Sequence, residues 1–376
     1  MDIKPLQGIT VIEIGHSVAA PFAGQILGDL GAEVIKVEKS KGDDARHWGP
    51  PFVDEASATF HALNRNKKSV VLDFRNVSDT QNLKKLIRQK ADVVLQNMRP
   101  GQVQELGLDF ESLRSDHEEL IYCNIGAFGA RGPLSQKAGY DPLMQAFSGI
   151  MSVVGEPGSE PVRVGPSIVD LGTGMWAAMG ILSLLLSRKS TGKGGLVDVS
   201  LFETAATWMN MMSAHYLASG LLPKKNGSGQ VGIVPYKAYA TKDGHLVVTA
   251  GNNELFGKLA TLMGHPEWLQ DDRFKDNPSR VENASTLYAL LDQLFLKKSN
   301  DQWIELLDAV GLPCAPVQDI SQMLAHPQTL AMGLMQTVSS CSIPLMGLPI
   351  SFNGTRPEIL AASPSLASSN ILDLIH

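Results

Sequence analysis

In the stretch ITVIEIGHSVAAPFAGQILGDLGAEVIKVE, residues 9–38, two short apolar runs flank a longer amphipathic segment. Residues 9–15 and 33–38 are rich in β-branched side chains, which indicates two strands. Between them, the apolar side chains of residues 18–32 recur with the period of a helix. A strand, a helix and a strand in this order predict two parallel strands joined by a crossover helix.

The same alternation continues along the chain. Further strands are predicted at residues 69–74, 91–97, 120–128 and 196–201, with helical patterns between them. We therefore predict an α/β fold whose large domain is Rossmann-like, with a parallel sheet. After residue 220, a polar, glycine-rich connector precedes a β-hairpin over residues 236–252 and three helical patterns, which predicts a smaller α/β domain.

The composition is that of a globular protein, with 44% hydrophobic and 19% charged residues. The net charge of −6 argues against a nucleic-acid partner, because binding to a phosphate backbone needs a basic face. Cys123, Cys314 and Cys341 form no C-x-x-C pair, which indicates reduced thiols in a cytosolic protein.

Neither a secretory signal nor a membrane span is predicted. The N-terminus lacks a basic segment followed by a long apolar one. The longest apolar stretch, residues 175–186, is shorter than the roughly 20 residues that a membrane span needs, so it predicts a buried core helix. We expect a soluble cytoplasmic protein without a membrane partner.

Several well-known catalytic motifs are absent. The sequence has no G-x-G-x-x-G after the first strand, no GxxxxGK[ST], no H-E-x-x-H and no G-x-S-x-G. Nicotinamide chemistry, ATP hydrolysis, zinc hydrolysis and α/β-hydrolase chemistry are therefore disfavoured.

Polar and glycine residues follow the predicted strands where the strands end. Because open α/β sheets bind ligands beyond the carboxyl ends of their strands, we expect these residues to lie at one edge of the sheet. They offer cations and amides, which suits a ligand with several phosphates. They are His16 and Ser17, Lys39, Arg75, Asn97 and Arg99, and the segment 126–129.

Asp170 heads an otherwise apolar helical segment, IVDLGTGMWAAMGILSLLL. Two interpretations are open at this point. An aspartate is a favoured helix N-cap, and the helix dipole stabilises its charge. Alternatively, Asp170 is a nucleophilic carboxylate in a dry pocket, with nearby glycines that admit a substrate.

The chain resembles the class III CoA-transferase family from about residue 6 to its final helix. Among the members, it is most similar to the succinyl-CoA:glutarate (dicarboxylate) type. The resemblance rests on the opening stretch quoted above and on NRNKKSVVLDF, NMRPG, GAFGARGPLSQKAGYD, SIVDLGTG and STGKGGLVDVSLFE.

This resemblance implies that Asp170 is the nucleophile and that coenzyme A thioesters are substrates. It implies no metal site and no separate cofactor. Gly251 and Asn252 correspond to a loop that closes over the nucleophile in the family. The implied CoA-binding residues, together with Arg99, are His16, Val18, Ala19, Lys39, Leu72, Arg75, Asn97, Met98, Lys137 and Tyr140.

The implied reaction moves CoA from an acyl-CoA, with succinyl-CoA as the expected donor, to a small carboxylic acid. It passes through an aspartyl anhydride and an aspartyl-CoA thioester. The family's members are interlocked homodimers, in which a small domain is inserted into a large one. For this chain the resemblance implies a large CoA-binding domain over residues 1–220, completed by 330–376, and a small domain over 225–325.

Two departures from the family pattern concern ligand binding. Glu105 stands where an arginine is common, so a phosphate contact is expected to pass to Arg99, Lys68 or Arg46. The loop at Gly251 also lacks the consecutive glycines of formyl-CoA transferases, which disfavours oxalate as the acceptor.

Two alternatives remain open. The α-methylacyl-CoA racemases share the fold but use a histidine and an aspartate for proton transfer. Their G-H-D motif corresponds to Gly139-Tyr140-Asp141 in this sequence, which has no histidine at that position. A CoA-binding protein without activity is the other alternative. Within the transferases, Arg163 is a candidate for binding a second carboxylate of the acceptor.

Overall fold

The structure is a computed structural model that describes residues 4–375. The chain divides into two compact units. The large unit contains the described residues up to Ile150, Arg163–Ser219 and the described residues from Pro327 onwards. The small unit contains Met151–Val162 and Gly220–His326.

The strands are short, as is usual for a globular α/β protein. In chain order they are β1 Thr10–Ile14, β2 Glu33–Glu38, β3 Phe52–Val53, β4 Ala56–Ser57, β5 Lys67–Val71, β6 Val93–Gln96, β7 Ile121–Gly126, β8 Gly195–Ser200, β9 Tyr236–Ala240, β10 His245–Thr249, β11 Cys314–Pro316, β12 Met335–Gln336 and β13 Leu345–Met346.

The helices range from single turns to one long helix. In chain order they are α1 Ala19–Asp29, α2 Ala58–Asn64, α3 Val77–Lys90, α4 Gln102–Glu105, α5 Phe110–Arg114, α6 Asp141–Phe147, α7 Ile150–Val153, α8 Ile168–Thr191, α9 Leu201–Trp208, α10 Asn210–Ser219, α11 Asn253–Leu262, α12 Asn277–Glu282, α13 Ala284–Phe295, α14 Asn300–Ala309, α15 Ile320–Ala325, α16 Pro327–Ala331 and α17 Ile371–Ile375.

Six parallel strands form the central sheet of the large unit, in the order β5-β2-β1-β6-β7-β8. β1 lies between β2 and β6, with Val11 opposite Val34 on one side and Val93 on the other. These valines are buried, as expected for a parallel sheet covered on both faces. The predicted α/β class with a parallel sheet is confirmed.

Two glycines allow α1 to pack closely, and this places its first turn near α8. A Cβ on Gly174 of α8 would lie 2.7 Å from the Ala19 carbonyl oxygen, so the two helices touch through backbone. A Cβ on Gly24 would lie 2.0 Å from Glu13 Oε2, beneath the sheet's first strand. α1 can therefore lie directly on a buried carboxylate.

The helix α8 is longer than the predicted apolar stretch and is not buried all round. It packs against α1, β7 and β8, while Met175, Met179 and Leu186 on its other side are exposed. The predicted buried core helix is therefore buried on the side that faces α1, β7 and β8 and exposed on the other. The length and apolar composition of α8 would also allow it to cross a membrane, but the core helix of a soluble protein can have the same length and composition.

The small unit has its own sheet and core. β9 and β10 form the predicted hairpin around Asp243-Gly244, and β11 adds a third antiparallel strand that was not predicted. The core of this unit is aromatic-rich and includes Tyr239, Phe256 and Phe295.

Several helical segments of the chain are interrupted. α6 ends at Phe147, and Gly149, which precedes α7, adopts a left-handed φ of 91°. The helical segment after β8 is likewise divided into α9 and α10. At the other end of the chain, α17 packs on α3, and Ile371 joins the core that contains Leu83.

Candidate active site

The turn between β1 and α1 is built by long-range hydrogen bonds. Asn97, at the end of β6, accepts a hydrogen bond from the His16 N–H at 3.0 Å and donates one to the His16 carbonyl at 2.9 Å. Ser17 has a left-handed φ of 71°. α1 then begins after Val18 without a side-chain cap, so its first N–H groups are open to an anion.

A cavity of about 500 Å³ lies at the carboxyl ends of β1, β6, β7 and β8. This is the edge at which the sequence predicted a ligand site. The predicted nucleophile and the predicted CoA-binding residues that line it are His16, Val18, Ala19, Lys39, Asn97, Met98, Arg99, Lys137, Tyr140 and Asp170.

Four of the residues predicted to bind CoA or to close over the nucleophile do not line this cavity. Leu72 is only 2% exposed and belongs to the hydrophobic core. Arg75 is exposed and bound to Asp73 at 2.7 Å. Gly251 and Asn252 belong to the small unit, where Asn252 caps α11 by accepting a hydrogen bond from Leu255 N. Their predicted roles in binding stay predictions.

Asp170 lies in the first turn of α8 but does not cap that helix. The capping carboxylate comes from α6, where Asp141 Oδ2 accepts the N–H of Val169 at 2.8 Å and that of Asp170 at 3.3 Å. Asp141 is buried, and its Oδ1 accepts a hydrogen bond from Gln145. The capping interpretation of Asp170 is therefore wrong, because Asp141 supplies the cap.

The carboxylate of Asp170 faces the cavity without a protein partner. Asp170 is half-buried, and over residues 4–375 its side chain makes no hydrogen bond or ion pair. Burial, and then the neighbouring charge of Asp141, raise the pKa of Asp170 from its usual 3.8 to about 7. A carboxylate of raised pKa is a stronger base and a stronger nucleophile once it is ionised.

The cationic residues divide into those that line the cavity and those that do not. Lys39 lies at the cavity and pairs with Asp44 in an exposed contact of 2.5 Å. Arg99 also lines the cavity. Arg46, in contrast, is buried and forms a two-pronged pair with Glu38. Arg46 is therefore not free to make the phosphate contact that is expected to be lost because Glu105 stands where an arginine is common in the family.

Lys68 also lies away from the cavity. It pairs with Glu33 at 2.5 Å and does not line the cavity. Of the three candidates for the displaced phosphate contact, Arg99 is the one at the cavity. Arg163 is exposed and donates to the Gly165 carbonyl at 2.7 Å, and it does not line the cavity.

Sequence reasoning missed several polar residues of the cavity. Gln96, Asn124 and Asp198, from β6, β7 and β8, form a hydrogen-bonded row across the strand ends. Trp48 and Glu203 also line the cavity. The signal for the row was a polar residue inside each apolar strand, which is unusual where both faces of a sheet are covered.

No group of three or more His, Cys, Asp or Glu side chains among residues 4–375 could hold a metal ion. The polar groups of the cavity are cations, amides, backbone N–H groups and scattered carboxylates. Such a lining suits an organic phosphate ligand and acyl chemistry on a carboxylate.

The family assignment agrees with this site. CoA-transferase family III matches residues 6–370. The chain therefore belongs to that family and is an enzyme of the CoA-transferase class, of EC 2.8.3 type. The predicted resemblance is confirmed.

Individual relatives are similar over most of their length. The human succinyl-CoA:glutarate CoA-transferase is 37% identical over 349 residues, which cover 91% of this chain and 80% of the human protein. The succinate–glutarate CoA-transferase of Agrobacterium fabrum is 35% identical, covering 96% of this chain and 93% of the relative. A CaiB/BaiF family protein from Brucella suis has a TM-score of 0.87 at 38% identity, covering 97% of each chain.

Proposed function

We propose that this enzyme moves CoA from succinyl-CoA to a dicarboxylic acid, with Asp170 as the covalent carrier. The observation that carries the proposal is the Asp170 carboxylate, which faces the cavity without a hydrogen-bond partner among the described residues. A carboxylate that only stabilised the fold would cap the helix or form an ion pair, and Asp170 does neither among the described residues, because Asp141 supplies the cap. The choice of acids is supported by the names of the human and Agrobacterium relatives, both of which act on glutarate.

The CoA moiety lies, in this proposal, along the carboxyl edge of the sheet. The uncapped first turn of α1 offers backbone N–H groups and the positive end of a helix dipole to a phosphate. Lys39, Arg99 and Lys137 line the same cavity and supply charge. Ten predicted residues meet at this cavity, which supports a single CoA site there.

The reaction begins when an Asp170 oxygen attacks the thioester carbonyl of the donor. The C–S bond breaks, giving an acyl–aspartyl anhydride and CoA thiolate. The thiolate then attacks the Asp170 carbonyl carbon of the anhydride, which forms an aspartyl-CoA thioester and releases the first acid. This sequence keeps the activation of the thioester, and every atom in it comes from the two substrates and Asp170.

The second half reverses these steps with the acceptor. The acceptor carboxylate attacks the aspartyl-CoA carbonyl and displaces CoA thiolate, and the thiolate attacks the acceptor's acyl carbon. Asp170 leaves as a free carboxylate. Each tetrahedral oxyanion needs N–H donors, for which Gly251 and Asn252 stay the predicted source.

The racemase alternative lacks support at the cavity. Its mechanism needs a histidine and an aspartate facing one substrate carbon. Among the described histidines, His16 is the one that lines this cavity, and it lies in the α1 turn with its Nδ1 3.0 Å from Ser17 Oγ. Position 140 holds a tyrosine that is 57% exposed.

A homodimer is also part of the proposal. The helix α10 has no buried residue, although it carries Met211 and Leu217, and Leu217 is 82% exposed. A ten-residue helix with an exposed apolar side is marginal in water by itself. A second copy covering α8 to α10 accounts for this surface.

A location in the cytoplasm stays a prediction.

The function is tested by incubating the protein with succinyl-CoA and a panel of mono- and dicarboxylic acids. The readout is mass-spectrometric detection of new acyl-CoA esters. We expect glutaryl-CoA or another dicarboxylic thioester, with free succinate in equal amount. Epimerisation of a branched acyl-CoA without a new thioester would instead support the racemase, and binding without any turnover would support a non-catalytic protein.

A further inference from the structure

The turn from Gly15 to Val18 carries lining residues of the cavity in a backbone conformation that is unfavourable by itself. Ser17 has a φ of 71°, a region that residues with a β-carbon rarely adopt. Such a conformation persists only where the surrounding structure imposes it.

Three side chains from separate strands and loops hold this turn. Lys36 Nζ, from β2, donates to the Gly15 carbonyl at 2.8 Å. Asp43 Oδ1 accepts the Ser17 N–H at 3.0 Å. Asn97 binds both backbone groups of the intervening His16, as described above. Every backbone group from the Gly15 carbonyl to the Ser17 N–H is thus bound by a side chain.

Lys36 and Asp43 belong to a buried network of ion pairs. Lys36 Nζ lies 2.8 Å from Asp43 Oδ2 and 2.8 Å from Glu13 Oε1, and the second oxygen of Glu13 lies 2.8 Å from Lys67 Nζ. The side chains of Glu13, Lys36 and Lys67 are fully buried. Two cations therefore balance two carboxylates beneath the turn.

The ion pairs outweigh the effect of burial on both anchoring residues. Burial acts to raise the pKa of Asp43, but the charge of Lys36 holds that pKa below its usual value. Burial acts to lower the pKa of Lys36, but Glu13 and Asp43 raise it. Both anchors are therefore charged at neutral pH, which makes their hydrogen bonds to the turn charge-assisted.

We infer that Lys36 and Asp43 are positioning residues for CoA binding, which fix the His16–Ser17 turn in its bound shape before the ligand arrives. The inference rests on the proposal that CoA occupies this cavity. A buried ion network adds little to stability over well-packed apolar side chains, so stability alone does not explain it. Its polar groups point at a ligand-lining turn, where preorganisation lowers the entropic cost of binding.

The first experiment compares Asp43→Asn with Asp29→Asn. Asp29 is a matched control, because it is buried and paired with Arg65 at the far end of α1, away from the cavity lining. Calorimetry measures CoA binding, thermal unfolding measures stability, and kinetics separate KM from kcat. We expect both variants to lose stability. Only Asp43→Asn should weaken CoA binding, by about tenfold, with kcat at saturation within about twofold of the wild type.

A second variant separates positioning from general damage. Ser17→Gly removes the cost of the left-handed backbone, since glycine adopts that φ freely. In the Asp43→Asn background, Ser17→Gly should recover most of the lost CoA affinity. The single Ser17→Gly variant provides the reference for this comparison as a double-mutant cycle.

If the wild type binds CoA and Asp43→Asn binds it with the same affinity, the inference is wrong, while the assignment of the cavity to CoA stands. Equal loss of affinity in Asp43→Asn and Asp29→Asn, or no recovery by Ser17→Gly, assigns Asp43 a structural role and also overturns it. If the wild type itself binds no CoA, the assignment of the cavity fails, and the inference fails with it.

Discussion

One carboxylate oxygen of Asp141 accepts the backbone N–H of Asp170 at 3.3 Å, while the Asp170 side chain makes no such contact with the described residues. The two carboxylates therefore have different roles at the start of α8. Asp141 neutralises the helix end, and Asp170 presents a free carboxylate to the cavity. This relationship makes the role of Asp170 separable from the stability of the helix.

Asp170→Asn should abolish transfer and stabilise the protein. The folded pKa of about 7 lies above the usual 3.8, so ionised Asp170 destabilises the fold as the pH rises through this interval. We expect a gain of about 1 to 3 kcal/mol at about pH 8 that disappears below about pH 4, measured by denaturant unfolding. If Asp170→Asn is active, and mass spectrometry shows that it has not deamidated to aspartate, Asp170 is not the nucleophile.

Trapping gives a direct check on the same residue. Wild-type enzyme with acyl-CoA and hydroxylamine should carry a mass shift on the peptide that contains Asp170. The Asn variant, treated in the same way, should carry none.

Activity should depend on pH through Asp170. Because the nucleophile must be ionised, kcat/KM for the acyl-CoA should rise with pH and reach half its plateau near pH 7. Asp141→Asn removes the adjacent charge, so its half-maximal point should move to lower pH. A midpoint near 4 in the wild type would contradict the raised pKa.

Glu203→Gln is the matched control for that shift. Glu203 also places a carboxylate at the cavity, but it does not contribute to the raised pKa of Asp170. Its pH profile should keep the wild-type midpoint. An equal shift in both variants would mean that any acid of the cavity has the effect assigned to Asp141.

Removing the charge of Lys39 should weaken CoA binding without slowing the chemical step. A charge-assisted phosphate contact is worth about 1.5 to 3 kcal/mol, so Lys39→Ala should raise KM for the acyl-CoA about tenfold or more. Lys68→Ala is the control, because Lys68 is exposed and paired but lies outside the cavity lining. Arg75→Ala should have a smaller effect than Lys39→Ala, since Arg75 lies outside the cavity lining.

Arg99→Ala tests how the departure at Glu105 is compensated. If Arg99 takes the phosphate contact, its loss should raise KM about tenfold, and Arg99→Lys should restore part of the affinity. Glu105→Arg in the Arg99→Ala background should also recover binding. An unchanged KM in Arg99→Ala excludes this residue.

The dimer is tested by mass measurement in solution. Light scattering or gel filtration should give twice the mass of one chain, and the value should survive dilution to nanomolar protein. Charged residues in place of Met211 and Leu217 should yield aggregates or unfolded chains, since they disrupt the apolar surface of α10. A wild-type monomer at low concentration counts strongly against the proposal.

The central sheet was predictable because its information is local. The strand, helix and strand over residues 9–38 follow from apolar periodicity, and the structure keeps them as β1, α1 and β2. Polar residues after each strand also predicted the edge at which the cavity lies. Because the strands are parallel, their carboxyl ends lie at the same edge of the sheet.

What the sequence pattern could not supply is which side chains pair with each other in the folded chain. Asp141 caps Asp170 from 29 residues away, and Glu38 occupies Arg46 inside the fold. Either pairing changes what a charged residue can do. Nothing in the local pattern separates Arg46, which is occupied, from Arg99, which faces the cavity.

The contact between α17 and α3 has a consequence for biosynthesis. Ile371 and Ile375 complete a core whose other members, such as Leu83 and Leu86, leave the ribosome almost 300 residues earlier. The large unit must therefore hold part of its apolar surface open while the whole small unit is translated. We expect nascent chains stalled before residue 371 to bind chaperones through this exposed surface, although most of the cavity's residues have already emerged.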